Sequence, residues 1–331
     1  MLHYEEVGKR TFPTIILPAL LITLSFLLFR TPRPESIYEP PVELVPRVPE
    51  IIQEKQNIKL IIVGDIMLDR HIRMFAEGRG YDFILSDIAE FLRSADLVLG
   101  NLEGPITKYP SVSVGSEIGS PNNYIFTFDP ETADFLYSNN IRLVNLGNNH
   151  ILNFGNQGLA DTLSYLNQSG ISYFGSIKGD YVDTSIIVDL ADLRIGFVNY
   201  NEFYEGSFEE AIDAISEIND VVDVLVVYTH WGSEYVSVAN SGIQTLAHSF
   251  IDSGADLVVG SHPHVVQQSE EYKGKKIYYS LGNFIFDQYF SEETMKGLLL
   301  EVEINPSDFS LKTTEHKVQL TSEGMTLMLA D

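Results

Sequence analysis

Two histidines separated by a single proline, His262 and His264, follow the apolar run Leu257-Val258-Val259 and the pair Gly260-Ser261. Neutral imidazole is a common protein ligand for divalent transition metals, so two rings on one turn amount to half of a metal site. Taken alone, such a pair reads as two surface loop histidines. Other apolar runs end in residues that could supply the rest: Gly64-Asp65, Gly100-Asn101-Leu102-Glu103, Gly147-Asn148-Asn149-His150, Thr229-His230-Trp231-Gly232-Ser233-Glu234 and Gly282-Asn283. In an open α/β sheet, ligand sites form outside the carboxyl ends of the strands. If these strands run parallel or nearly so, Asp65, Glu103, Asn149, His230, His262 and His264 converge into one cluster of oxygen and nitrogen donors.

Each residue also has a plainer reading. Asp65 could cap a helix, His150 could be a satisfied loop histidine, and Glu234 could be a solvated carboxylate. His71, His248 and His316 are read as structural, His3 precedes an apolar segment, and Trp231 reads as a packing residue.

Composition narrows the chemistry. The 331-residue chain has no cysteine, which excludes disulfides, thiolate metal sites and cysteine nucleophiles and leaves His, Asp, Glu and Asn as ligands. Lys plus Arg 21 against Asp plus Glu 46 gives a net charge of −25, so nucleic acid and anionic membrane surfaces are not expected partners.

The elements that must position these residues follow from periodicity. Short β-branched runs predict strands at Ile58–Val63, Leu97–Leu99, Arg142–Leu146, Leu193–Tyr200, Val222–Tyr228, Asp256–Val259, Lys276–Leu281 and Leu298–Ile304. Between them, Ile243, Leu246, Ala247, Phe250 and Ile251 mark one face of a helix, with Ser241 and Gln244 as a capping box and Gly254 as its end. Leu159, Leu163 and Leu166, closed by Gly170, mark a second helix, and Asp129-Pro130 starts a third with proline at the first helical position. Gly115 to Asn123 reads as an exposed loop, and Lys312 to Leu329 as terminal strands. Ahead of this α/β region (56–331), residues 1–10 form a short tail. Thr11 to Phe29 carries no charge and is long enough to span a bilayer as an uncleaved anchor, and residues 30–55 form a stiff proline-rich linker.

The motifs GDIMLDR, GNLEGPIT, NLGNNHILNFG, THWGSEY, GSHPHVVQ and SLGNFIFDQ, in this order, resemble the bacterial CapA family of capsule or poly-γ-glutamate synthesis proteins. That family is similar to the calcineurin-like metallophosphoesterases. The resemblance spans about Ile58 to Gly297 and implies a layered α/β/β/α sandwich with metal at one edge of the sheets. It implies that Asp65 ligates a first metal and that Asn101 or Glu103 takes the place of a bridging aspartate. Asn149 and His230 would serve a second metal, with His262 and His264 divided between the two. His150 would be the acid that assists the leaving group, and Glu234 and Asn283 would lie at the substrate. One or two divalent ions, Mn, Zn or Fe, are the implied cofactor. Departures stand out: Met67 occupies the position of a histidine in the phosphoesterases, and Asn153 stands where many relatives carry aspartate. The implied function is a membrane-anchored, outward-facing metal-dependent hydrolase acting on an anionic cell-surface polymer. The alternative is a non-catalytic accessory that binds the polymer or a membrane synthase complex.

Overall fold

The computed structural model describes residues 56–175, 177 and 182–330. The expected tail, anchor and linker fall outside these residues. Among the described residues no helix is long and apolar enough to cross a membrane.

Two mixed sheets pack face to face. The first is built on four parallel strands, β1 (Ile58–Ile66), β2 (Leu97–Leu102), β3 (Ile141–Asn145) and β4 (Ser172–Phe174). The second runs from β5 (Ser185–Leu190) through β6 (Leu193–Asn201), β7 (Val224–His230) and β8 (Leu257–Ser261) to β10 (Lys275–Tyr278) and β9 (Ser269–Tyr272), with β6, β7, β8 and β10 mutually parallel. The short β11 (Asn283–Ile285) then returns to the first sheet, parallel to β1. That sheet is completed by the antiparallel strands β12 (Lys296–Ile304), β13 (Leu311–Leu320) and β14 (Thr326–Met328).

Side-chain alternation on a strand explains the layers. On β1, Leu60 and Ile62 enter the core between the sheets with Phe197, Val226 and Val259, whereas Ile61 and Val63 face outward. The outer face of the first sheet is covered by α1 (Arg70–Arg79), α2 (Ala89–Arg93), α3 (Glu131–Ser138) and α4 (Gly155–Ser169), whose Ile72, Leu92, Leu136 and Leu166 form a second, outer core with Ile61 and Val63. On β7, Leu225 and Val227 face α5 (Ser207–Ile218) and α6 (Ser241–Ser253), packing on Ile215, Phe250 and the buried Trp231. The result is the expected α/β/β/α order.

Details differ from the sequence reading in instructive ways. The cap of α6 is Asn240, whose side chain accepts from the amides of Gly242 and Ile243, and Gln244 donates to the Ala239 carbonyl. The asparagine outcompetes Ser241 because its longer side chain reaches both amides. Pro130 is the residue before α3, one position ahead of the first helical residue. Several strands run on past their expected ends, so Asp65, Asn101, His230 and Ser261 lie within paired backbone, as in the registers Asp65 to Asn101 and His230 to Ser261. Parallel partners supply ladder hydrogen bonds there, which a polar side chain does not oppose.

Candidate metal centre

The carboxyl ends of β1, β2 and β3 in one sheet and of β7 and β8 in the other meet at one edge. Close backbone approach makes this possible. A Cβ on Gly64 would lie 1.9 Å from the Gly282 carbonyl oxygen, and one on Gly260 would lie 2.0 Å from that of Tyr279. Beyond Gly260 the turn puts two non-glycine residues in left-handed backbone, His262 at φ 97° and His264 at φ 57°. That conformation costs energy for an L-residue and persists only where its surroundings hold it. Here one fastening is visible: the His262 amide donates to Asp65 Oδ2 at 3.1 Å.

Asp65, Asn101, Glu103 and His230 are fully buried, and His262 and His264 nearly so. His264 Nδ1 lies 3.0 Å from Asn283 Oδ1 and 3.3 Å from Asp65 Oδ2. Both neighbours accept, so the ring proton sits on Nδ1 and the Nε2 lone pair faces Glu103 Oε1 at 3.6 Å. Asn283, expected at the substrate, is buried, and its Nδ2 donates to the Thr294 carbonyl at 2.9 Å and to Gln288 Oε1 at 3.1 Å. It therefore orients His264.

Asn101 sits between the two carboxylates. Its Nδ2 donates to Asp65 Oδ1 at 2.8 Å, with His230 Nδ1 at 3.2 Å and Glu103 Oε2 at 3.5 Å. The amide cannot turn over. Asn148 Oδ1 accepts from the His150 and Ile151 amides, and Asn145 Oδ1 accepts from the Gly147 amide. Both Nδ2 groups are thereby aimed at Asn101 Oδ1, at 3.0 and 3.1 Å. Asn101 thus presents donors to the cluster, and of the two residues considered for a bridging anion only Glu103 offers oxygen.

On the far side, His230 Nε2 lies 2.9 Å from Asn149 Oδ1, and the His230 and His262 rings are 4.8 Å apart. Asn153 Oδ1 accepts from the Phe126 amide at 2.8 Å and lies 3.2 Å from His150 Nδ1. His150 is consequently protonated on Nδ1, with Nε2 turned toward Glu103 Oε1 at 3.8 Å. Glu234 is exposed, yet one of its oxygens can join His262 and His264 in a group whose ligand atoms lie within 4.8 Å of one another. A second such group, Asp65, Glu103 and His264, is wholly buried and shares His264 with the first.

Electrostatics fit a cation site. Burial pushes His262 down to about 3 and His150 down to about 4, and it drives His230 well below the usual imidazole range. These rings are therefore neutral at neutral pH, the form that ligates metal. Burial would raise Asp65, but its contact with His264 prevails and holds it below the usual carboxylate range. Glu103 is the reverse case: burial, then the charge of Asp65, lifts it well above that range. Glu103 Oε1 and His262 Nδ1 are buried without a hydrogen-bond partner among the described residues. Buried polar atoms are normally paired, so two orphans in one cluster mark a place for an ion. Two donors bound at about 2.1 Å in a tetrahedral site lie about 3.4 Å apart, close to the spacing of His264 Nε2 and Glu103 Oε1.

Met67 takes no part. Its side chain belongs to the outer core of the first sheet, and its sulfur accepts from the Asp69 amide at 3.1 Å. His248 stacks on Tyr272 at 3.9 Å and His316 pairs with Glu301 at 3.2 Å, both away from the cluster, as expected of structural residues. The sequence reading gave no individual role to Asn145, Asn148 or Arg70, although all three lie inside its quoted motifs. Their signal was position: Asn145 and Asn148 flank Gly147 at a strand end, and Arg70 follows a buried helix cap, Asp69.

The family described as bacterial capsule synthesis protein PGA_cap matches residues 59–288. The chain belongs to that family. Within it, the chain is 33% identical over 245 residues to the PGA biosynthesis protein CapA of Bacillus subtilis (strain 168), covering 68% of this chain and 62% of that one. It is 29% identical over 256 residues to the capsule biosynthesis protein CapA of Bacillus anthracis, covering 71% and 61%. The chain thus spans a little over three fifths of the length of these relatives. Among solved structures it resembles a phosphatase from Mycoplasma pneumoniae (TM-score 0.52, 14% identity, 80% of this chain and 94% of that one). A hypothetical protein from Thermus thermophilus is similarly related (TM-score 0.51, 14% identity, 78% and 98%). At that identity the likeness concerns the fold, the α/β/β/α sandwich described above.

Proposed function

We propose that this family member is a metal-dependent hydrolase that cleaves an amide or phosphoester bond in an anionic cell-surface polymer. The observation that carries the proposal is the buried set Asp65, Glu103 and His264, with Glu103 Oε1 left without a partner. Imidazole and carboxylate donors suit manganese, zinc or iron. His264 would hold the ion either with Asp65 and Glu103 on the buried side or with His262 and Glu234 on the solvent side, the two groups that share its ring. When bound, such an ion supplies a Lewis acid that polarises the scissile group and makes water a competent nucleophile near neutral pH.

The chain's own groups do the rest. Asp65 and Asn283 fix the His264 ring, and Asn149 restrains His230. His150, expected as a proton donor, rests as a neutral ring with Nε2 basic and facing the cluster. It therefore takes a proton first and donates it to the leaving group only afterwards. The printed names of the Bacillus relatives support capsule or poly-γ-glutamate biosynthesis as the setting. The uncharged Thr11–Phe29 segment supports a single-pass tether, and the capsule setting in the relatives' names supports a domain outside the cell, where a membrane synthase complex would be a neighbour. The test is release of new chain ends from poly-γ-glutamate by the full chain with added manganese or zinc. Loss of that release in His150→Ala supports the reading, and undiminished turnover in that variant overturns it.

One observation favours the second reading, a polymer-binding accessory without turnover: Asn101 points donors where a two-metal site needs a shared anion. Protease accessibility of the domain in intact cells tests the outward orientation that both readings share.

A further inference from the structure

The rings of His264, His230 and His150 are each fixed by hydrogen bonds. His264 Nδ1 lies 3.0 Å from Asn283 Oδ1, His230 lies 3.0 Å from the Ser261 hydroxyl and 2.9 Å from Asn149 Oδ1, and His150 Nδ1 lies 3.2 Å from Asn153 Oδ1. His262 is the exception. Its amide is fastened to Asp65, but its Nδ1 is buried without a partner, and among the described residues no side chain hydrogen-bonds its ring. A histidine that ligates metal is normally oriented by a hydrogen bond at its other nitrogen. Without one, rotation about the Cβ–Cγ bond is soft, and a half-turn puts ring carbons where the nitrogens stood.

Packing takes the place of that bond. The Phe203 ring makes a T-shaped contact with His262, centroids 4.5 Å apart and planes at 62°, and lies 5.6 Å from His230. The His230 ring itself is 4.8 Å from His262, so His262 is in contact with both. Phe203 comes from the loop after β6, and that loop is tied to the end of β7. The Glu202 amide donates to the His230 carbonyl at 3.0 Å, the Glu202 carboxylate accepts from the Gly232 amide at 2.5 Å, and the Phe203 amide donates to Asn201 Oδ1 at 3.1 Å. The ring has no comparable part in the fold: it is 44% exposed and belongs to none of the three buried apolar cores. A large apolar side chain half in water, on a loop so secured, is placed for the histidines it touches.

We propose that Phe203 is a positioning residue of the metal centre: it packs against His262, keeps that ring in one orientation, and thereby makes His262 one of the ion's ligands. The inference rests on the reading above that a divalent ion binds at His264.

The test has a metal-free arm and a metal-loaded arm, both on the full chain. In metal-free protein with isotope-labelled histidine, the His262 ring signal, assigned by its loss in His262→Ala, should be a single resonance shifted by the Phe203 ring current. In Phe203→Ala it should move toward the position of an unstacked imidazole and broaden, while the unfolding midpoint stays close to that of wild type. In titrations with cobalt(II) alone, Phe203→Ala should bind about tenfold more weakly than wild type and with an altered visible spectrum. Phe203→Tyr, which keeps the ring, should restore both. Cobalt bound with wild-type affinity and spectrum by Phe203→Ala or by His262→Ala overturns the proposal and leaves the metal reading standing. So does Phe203→Tyr binding as weakly as Phe203→Ala, or an unfolding midpoint that falls in step with the affinity, which would assign Phe203 to the fold. A wild-type chain that takes up no divalent ion overturns the metal reading and the proposal with it.

Discussion

Asn101 Nδ2 donates to Asp65 Oδ1 at 2.8 Å, and a chain of amides running back to the Gly147, His150 and Ile151 backbone keeps it in that orientation. A hydrogen-bond donor therefore stands at one of the two positions where the family resemblance implies a bridging anion. The two ligand groups, Asp65, Glu103 and His264 and Glu234, His262 and His264, share one ring, and without a bridging anion we expect them to take up one ion.

Asn101→Asp should change that number. The carboxylate would supply the missing anion, and elemental analysis should rise from one ion per chain toward two. Without metal, the variant should be less stable than wild type, because Asp65 and Glu103 would then face a third carboxyl group in a buried space. Unchanged stoichiometry would show that Asn101 does not set the metal count.

Glu103 makes the metal-free protein sensitive to pH. Its folded-state value is raised, so its favourable contribution is complete below the ordinary 4.5 and is lost as pH rises through the folded-state value. Relative to Glu103→Gln, metal-free wild type should therefore lose stability between about pH 5 and about pH 8, a comparison in which the contribution of the buried neutral histidines, common to both proteins, cancels. At the higher pH the variant should be the more stable by about 1–3 kcal/mol in denaturant unfolding, and it should bind metal poorly at either pH.

His150 and Asn153 predict a pH–rate profile. With His150 at about 4 and acting first as a base, the acid limb of the rate should lie well below neutrality. Asn153→Asp keeps both hydrogen bonds that Asn153 Oδ1 accepts and adds a negative charge beside Nδ1. The acid limb should move up by about 1–2 pH units. A profile that instead gains activity at high pH would identify His150 as the resting proton donor.

Gly260 separates architecture from chemistry. Alanine there would put Cβ 2.0 Å from the Tyr279 carbonyl oxygen and 2.5 Å from Trp231 Nε1. The substitution should cost at least about 1–3 kcal/mol of stability. It should also weaken metal binding, since the β8 to β10 pairing holds the turn that carries His262 and His264.

Much of this arrangement could be read from the chain. β1, β2, β3, β6, β7, β8 and β12 are apolar enough to reveal themselves, and the polar residues at their ends point to one edge once the strands are parallel. The edge strands and the shortest strand were harder. The edge strands β5 and β9 are half-exposed and carry little apolar signal, and β11 is only three residues long and pairs with β1 across the chain. Within the site, side-chain type gave the ligand candidates but not their orientation. Whether Asn101 offers oxygen or nitrogen depends on Asn145 and Asn148, and whether Asn283 meets substrate or supports His264 depends on Thr294 and Gln288. Those are tertiary facts with no local periodicity to announce them.

The most direct measurement is the metal content of the full chain purified without chelator, set beside that of His264→Ala. The ring of His264 joins both ligand-competent groups, so wild type should carry about one divalent ion per chain and the variant almost none while remaining folded. A folded wild-type protein that binds no manganese, zinc or iron, even when each is supplied, would contradict the account.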